Sequence, residues 1–231
     1  MIACLCCFRD ESGHLPGYAA HLRDYVDCFI GCDDGSVDES GGIFSREKKC
    51  VWMHRAARSE KPFQNEVENR LILIRKAREV GADWILFADA DTRVDLRFLP
   101  EMARQARPGR RAKFGLRLRD LWDSTKKYRV DGRWGKKISL TLFSIEDFDA
   151  YWAPGRIHTP AHPPRHRGRI VNLEHNLYHL GSLTIADRMN RVLKHKMADP
   201  DSVYQPLGYD YLADETGLVL ENVPPGSLYP Q

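Results

Sequence analysis

Two carboxylates separated by one small residue, Asp89-Ala90-Asp91, close the run Trp84-Ile85-Leu86-Phe87-Ala88. Hard oxygen ligands at this spacing can hold a divalent cation against a diphosphate, whose charge must be neutralised before it leaves. The residues before them do not alternate with polar ones, which suits a strand buried on both faces in a parallel sheet. Open α/β sheets bind ligands beyond the carboxyl ends of such strands. If the strand runs through them, Asp89 and Asp91 share one face. The plain alternative is a strand-terminating turn, where Asp is common.

The elements that would position this pair recur upstream. Ile2 to Phe8 reads as a first strand, and Arg9-Asp10-Glu11-Ser12-Gly13 follows as a polar loop. His21 to Tyr25 ends a short helix, and Val26 to Cys32 is a second strand closed by Asp33-Asp34-Gly35-Ser36-Val37-Asp38. One acidic strand end is an ordinary turn, whereas their recurrence in one small domain points to a site. Gln64 to Val80 predicts a helix with the apolar stripe Val67, Leu71, Ile74, Ala77 and Val80, stopped by Gly81. Asn69 and Arg70 flank that stripe toward the expected cleft. The strand–helix–strand alternation is that of a parallel sheet.

The residues RDES at 9–12, DDGSVD at 33–38, NR at 69–70 and GADWILFADAD at 81–91 resemble the inverting glycosyltransferases of family 2. That resemblance implies a GT-A fold: a Rossmann-like, mostly parallel sheet flanked by helices. It further implies a nucleoside-diphosphate sugar donor and Mn²⁺ or Mg²⁺ as cofactor. By resemblance Asp33 contacts the base, Asp89 the ribose and Asp91 the metal. Asp10, Asp34 and Arg70 complete the donor-binding set. Residues 1–100 would form the donor half and 101–231 the acceptor half of the same domain. Relatives carry a His-x-Gly whose histidine completes the metal shell, and His179-Leu180-Gly181 gives His179 that role. Gly155-Arg156-Ile157-His158-Thr159 resembles a Gly-x-His-Glu of some relatives, with Thr159 where the acid would stand. The general base therefore falls to Asp131, with Asp149 and Glu174 in reserve and His158 as base or acceptor ligand.

Beyond residue 100 the pattern is less distinctive. A short helix is expected from Pro100 to about Gln105, and strands at Lys113 to Leu118, Lys137 to Ser144 and Ile170 to Leu180. Residues 154–169 read as a proline-rich loop. Ser182 could cap a helix to about Met197 with Leu183, Ala186, Met189, Leu193 and Met197 as its core stripe. Residues 102–169 carry 17 basic against 6 acidic side chains, while the flanking segments are net acidic. Trp122, Tyr128, Trp134, Tyr151 and Trp152 lie among these charges, which predicts a polyanionic acceptor such as DNA with a hydroxylated base, an anionic glycan or a lipid headgroup.

The chain has 231 residues, enough for one α/β domain, and its mean hydropathy is −0.49. The absence of a membrane-length apolar run and of a basic leader predicts a cytoplasmic protein. All six cysteines fall within the first fifty residues. They read as small buried hydrophobes; alternatively Cys4, Cys6, Cys28 and Cys32 share a face and bind zinc, or His175 and His179 do so on a helix. Other classes compatible with these features are a catalytically inactive nucleotide-sugar binder and a nucleotidyltransferase. The second should show a glycine-rich phosphate loop after the first strand, and residues 9–17 do not. A zinc-stabilised nucleic-acid-binding protein would need one of the thiol or imidazole clusters.

Overall fold

The computed structural model describes residues 1–145, 152 and 159–227. Unalternated apolar runs form its middle: β1 (Ile2–Phe8), β2 (Cys28–Asp33) and β4 (Trp84–Phe87) are buried along almost their whole length. They join β3 (Cys50–Arg55), β5 (Thr92–Val94), β6 (Ala112–Asp120), β8 (Ile138–Ser144) and β9 (Arg169–His179) in one sheet of order β3-β2-β1-β4-β8-β6-β9-β5. The first four neighbours are parallel, as expected. β8 runs antiparallel to both β4 and β6, β9 is parallel to β6, and β5 antiparallel to β9. A hairpin-like pair of β7 (Lys127–Arg129) and β10 (Leu220–Asn222) stands apart. The two halves anticipated from the sequence thus share one continuous sheet.

Two cores cover the sheet. One gathers Cys4, Cys6 and Phe8 with Leu15 and Tyr18 of α1 (Leu15–Leu22), Phe44 of α2 (Ser40–Ser45) and Leu99 and Met102 of α4 (Leu99–Gln105). The other gathers Ala3, Leu5, Cys28, Ile30 and Cys32 with Leu73, Ile74 and Ala77 of α3 (Glu66–Glu79). This parity corrects the thiolate reading. The register pairs Ala3 with Cys28 and Cys7 with Cys32, so Cys4 and Cys6 point to the opposite face from Cys28 and Cys32. Burial raises the Cys4 thiol to about 12, against a hydrogen bond with Tyr18, which suits a buried hydrophobe rather than a ligand. The two histidines are equally unsuited to zinc: they lie on a strand, four residues and about 13 Å apart, and His175 bonds Glu101.

One helix turns as expected and the other does not. In α3 the buried side is centred on Leu73, Ile74 and Ala77 and includes Asn69 and Arg70, while Val67, Leu71 and Val80 are only partly covered. The last long helix, α5 (Ile185–Ala198), is capped by Thr184 rather than Ser182. Thr184 and Asp187 form a reciprocal capping box. Of its expected core stripe, Ala186, Met189, Leu193 and Met197 face outward, Leu183 packs against the core just ahead of the helix, and the buried side carries Arg188 and Val192.

The aromatics of the basic segment are also core. Trp122, Tyr128, Trp134 and Trp152 are all buried, so they do not present open rings to a base or sugar; Tyr151 lies outside the described residues. Trp122 and Trp134 meet edge to face and clamp the Arg129 guanidinium, 4.6 Å and 5.0 Å from the ring centres. Arg188 covers Trp122 at 4.2 Å and donates to Asp123 and Glu215. Among the described residues no helix is long and apolar enough to cross a membrane.

Candidate active site

Asp89 and Asp91 lie just past β4, on the turn that leads into β5, not within the strand. Asp89 closes this turn by accepting the N–H and hydroxyl of Thr92 on its carbonyl. Buried Arg93 clamps it from behind, donating to the carbonyls of Ala90 and Thr92 at 2.8 Å each and to that of His14 at 3.1 Å. The turn is therefore both the plain strand ending and a fixed support for two carboxylates.

What Asp91 faces follows from strand register. β5 pairs with β9 so that Thr92 stands opposite His179, and the Leu180 N–H donates to the Asp91 carbonyl. Asp91 Oδ2 then meets His179 Nε2 at 2.9 Å. The other imidazole nitrogen, Nδ1, lies 2.8 Å from Asp120 at the end of β6, and Asp120 is paired with Arg191 of α5. A carboxylate behind a histidine fixes its tautomer and aim, as it does in many metal sites. Asp120 went unnoticed in the sequence, where it is one acid at the end of an alternating strand.

Gly181 keeps the front of the pair open. A Cβ on it would lie 2.7 Å from Asp91 Oδ2 and 2.9 Å from His179 Nε2. The His-x-Gly pattern thus has a steric reason. Among the described residues no third side chain joins the pair as a ligand set. A carboxylate oxygen and an imidazole nitrogen suit Mn²⁺ well and Mg²⁺ less so, provided that other oxygens complete the shell.

Charge around the pair is unbalanced. Burial pushes the Glu11 carboxyl up to about 8, with Asp91 the next cause. Asp89 is open to the cleft, yet loss of solvation, followed by repulsion from Asp91, raises it as well. Burial would raise Asp91 too, but the His179 imidazolium outweighs it and holds Asp91 well below the usual range. His179 loses solvation in turn and is nevertheless raised to about 9, chiefly by Asp91 and with help from Asp120. Protonated His179 is the positive charge that Asp91 meets directly. Glu11, rather than its neighbour Asp10, is the acid of the first loop that joins this field.

Next to it lies a second set. Asp34 Oδ1 accepts from Asn65 and Asn69 of the α3 end at 3.0 Å and 2.9 Å, and Arg9 stands 3.7 Å from Oδ2. Asp33 caps its own loop through the Ser36 N–H, and its other oxygen is buried without a hydrogen-bond partner. Asp10 ties the same loop by accepting from Val37 and pairing with Arg58. Gly35 is required there: its φ is +75°, and a side chain would strike the Arg58 backbone. Arg70 lies over the Phe87 ring at 4.6 Å and is held by Glu66. The structure thus gathers Asp33, Asp34, Arg70, Asp89, Asp91 and His179 at the carboxyl ends of β1, β2 and β4.

Two of the base candidates, Asp131 and Glu174, are engaged with arginines instead. Both carboxylate oxygens of Asp131 accept from Arg129 at 2.8 Å, and Oδ1 also takes the Val219 N–H. The Arg129 bond is the main reason its pKa is lowered, the opposite of what a base needs. Glu174 is exposed on β9 beside Arg117. His158, Asp149 and the Gly155–Thr159 pattern up to His158 lie outside the described residues. The basic segment is divided as well. Arg107, Arg110, Arg111, Arg167 and Arg169 sit around the starting ends of β6 and β9, whereas Asp120 and His179 sit at their finishing ends, about 25–30 Å away. Those arginines do not line the cleft.

Two outcomes follow for the metal-free protein. A histidine raised from 6.5 to about 9 contributes stability that is complete below 6.5 and lost as pH rises through 9. The melting temperature should therefore fall across that interval, and His179→Gln should remove this component; an identical slope in the variant would contradict the pairing. Asp120→Asn, by removing the carboxylate behind the imidazole, should shift this loss to lower pH in the same melting curves.

No protein-family model matches the chain, and no curated protein matches its sequence. Solved structures do resemble it. Residues 1–349 of TarS from S. aureus superpose with a TM-score of 0.53 at 12% identity, covering 93% of this chain and 69% of that one. The same fragment in complex with UDP gives 0.49 at 11% identity, covering 93% and 70%. A longer S. aureus TarS structure gives 0.47 at 12% identity, covering 88% of this chain and 41% of its own. The mixed sheet with its flanking helices has the GT-A fold, which it shares with the TarS fragment.

Proposed function

We propose that the chain is a metal-dependent inverting glycosyltransferase that moves a sugar from a nucleoside diphosphate to an acceptor hydroxyl. The observation that carries this reading is the Asp91–His179 pair, facing a space that Gly181 leaves open beyond the carboxyl end of β4. Asp91 and His179 would hold Mn²⁺ or Mg²⁺, and the donor's phosphate oxygens would complete the shell. When bound, the ion offsets the charge that builds on the leaving diphosphate.

The chain's own residues divide the remaining work. Asp34, aimed by Asn65 and Asn69, and Asp33 with its capped loop form the base-recognition corner. Asp10 keeps that corner in shape rather than facing the donor, since both its oxygens are engaged within the loop. Asp89 is left open to the cleft for the ribose hydroxyls, with Arg70 behind it. Asp120 and Arg191 keep the His179 ring aimed at Asp91. In-line attack with inversion needs a base on the acceptor side. With Asp131 committed to Arg129, we assign this role to the 146–158 segment, whose sequence holds Asp149 and His158. A catalytically inactive donor-binding protein differs from this reading by the absence of turnover alone. The acceptor supplies a hydroxyl, and the densest arginines lie at the other end of the sheet from the cleft.

The test is calorimetry with UDP and other nucleoside diphosphates, with and without Mn²⁺, followed by donor hydrolysis over a nucleotide-sugar panel. Asp91→Asn and His179→Ala should each remove the metal-dependent part of binding and slow hydrolysis by about two to three orders of magnitude. Asp131→Asn should leave donor binding unchanged. Metal-dependent affinity that survives Asp91→Asn would overturn the proposal, and binding without turnover of any sugar would leave the inactive binder.

A further inference from the structure

Three basic side chains of α5, Arg188, Arg191 and Lys194, follow one another at three-residue spacing, and each meets a carboxylate. That spacing sets them along one side of the helix. The first two are fixed. Arg188 donates to Asp123 at 2.9 Å and to Glu215 at 2.8 Å. Arg191 donates to Asp120 at 3.2 Å and to the Ser182 hydroxyl. The third is held differently. Lys194 Nζ lies 4.0 Å from Glu11 Oε1, beyond hydrogen-bond distance, and among the described residues the ammonium donates no hydrogen bond. Glu11 is equally loose on its other side, with His14 Nε2 3.9 Å from Oε2. The helix thus brings to the cleft a half-exposed cation that is aimed but not bonded.

Its place is the acidic mouth of the site. Glu11 stands just past β1, whose neighbour β4 leads into Asp89 and Asp91. After burial, Asp91, Lys194 and Asp89 are the charges that Glu11 feels most, so the ammonium and the Asp91 carboxylate lie in one field. His195, the next residue of the helix, packs on Phe63 ahead of α3 with ring centres 5.3 Å apart, which holds this turn of α5 against the first half of the chain. Two nearby guanidinium groups are committed elsewhere: Arg70 to Glu66 and the Pro160 carbonyl, Arg93 to the carbonyls of its turn. A diphosphate entering here meets the carboxylates of Glu11 and Asp89, and needs a cation besides the ion at Asp91. Lysine suits that need, being a point charge with three donors on a flexible stem and a recurrent phosphate ligand.

We infer that Lys194 binds the donor's diphosphate, turning from Glu11 to a phosphate oxygen when the nucleotide enters. The inference rests on the glycosyl-transfer reading above and adds to it a residue from the far half of the chain. A nucleotide with its base at Asp33 and Asp34, past β2, extends its phosphates across β1 and β4 toward Asp91 and α5. The phosphate farther from the ribose is then the one nearer Lys194. That phosphate carries the charge that builds as the sugar leaves, so the lysine shares the task of the ion. Glu11 keeps the ammonium at the mouth while the site is empty, and it competes too weakly at 4.0 Å to retain it against a dianion.

Calorimetry on the full chain with Mn²⁺ decides it, using UDP, GDP, ADP and CDP, each set against its monophosphate. The wild type should bind one diphosphate more tightly than the monophosphate of the same base. Lys194→Met should weaken that diphosphate by about tenfold or more and the monophosphate only slightly. Lys194→Arg should restore most of the difference. A melting curve checks that each variant folds, and Lys194→Gln repeats the reading with a polar side chain. Equal losses for diphosphate and monophosphate would mean that the lysine only braces α5 against the first loop. Unchanged diphosphate affinity in Lys194→Met would make it a solvated charge. Either result overturns this inference and leaves the glycosyl-transfer reading standing, whereas a wild type that binds no diphosphate overturns both.

Discussion

The short antiparallel pairing of β5 with β9 is the constraint on which the site depends. Only three residues of β5 take part, yet they set Thr92 against His179 and so bring Asp91 to His179 across about ninety positions of sequence. Everything nearby serves that contact. Arg93 fixes the turn from below, Asp120 and Arg191 fix the imidazole from behind, and Gly181 keeps its front clear. Two charged groups taken partly out of water are costly unless paired and hydrogen-bonded. Here each has a partner, and the excess of carboxylates from Glu11 and Asp89 leaves the site short of positive charge.

The second half of the chain adds a support built on buried arginines. Arg129 and Arg188 both lie over Trp122, Trp134 meets Trp122 edge to face and also takes Arg129 against its ring, and Asp131, Asp123 and Glu215 accept from the two guanidinium groups. Planar guanidinium groups suit such stacked, multiply bonded positions where lysine would not. This explains how a segment rich in both aromatics and charge packs as core. It also explains why α5 presents its polar side inward: the arginine it buries is the stacking partner of Trp122.

Much of the first hundred residues was legible because the signals there are local. An unalternated apolar run predicts a central strand wherever it occurs, and an acidic cluster directly after it is placed at the ligand end by topology alone. Gly81 and the Asn69–Arg70 pair belonged to the same reading. What escaped depends on partners distant in sequence. Asp131 looks like a free carboxylate until Arg129 folds back onto it. Cys4 and Cys28 look like neighbours until the register sets their parity. Strand β3, with its mixed burial, carries too little pattern to stand out. The apolar stripe of α5 is a true periodicity whose side was read wrongly, because periodicity gives a face and not what covers it. Charge totals misled in the same way, since the described basic residues of that segment are divided between the two ends of a sheet and a buried cluster.

The most direct measurement is anomalous diffraction at the manganese edge from crystals grown with Mn²⁺ and UDP. The account predicts one strong peak in front of Gly181, bonded to Asp91 Oδ2 and His179 Nε2, with phosphate oxygens on its open side. A peak elsewhere, or none while nucleotide density is present and Asp91 still meets His179 directly, would contradict it.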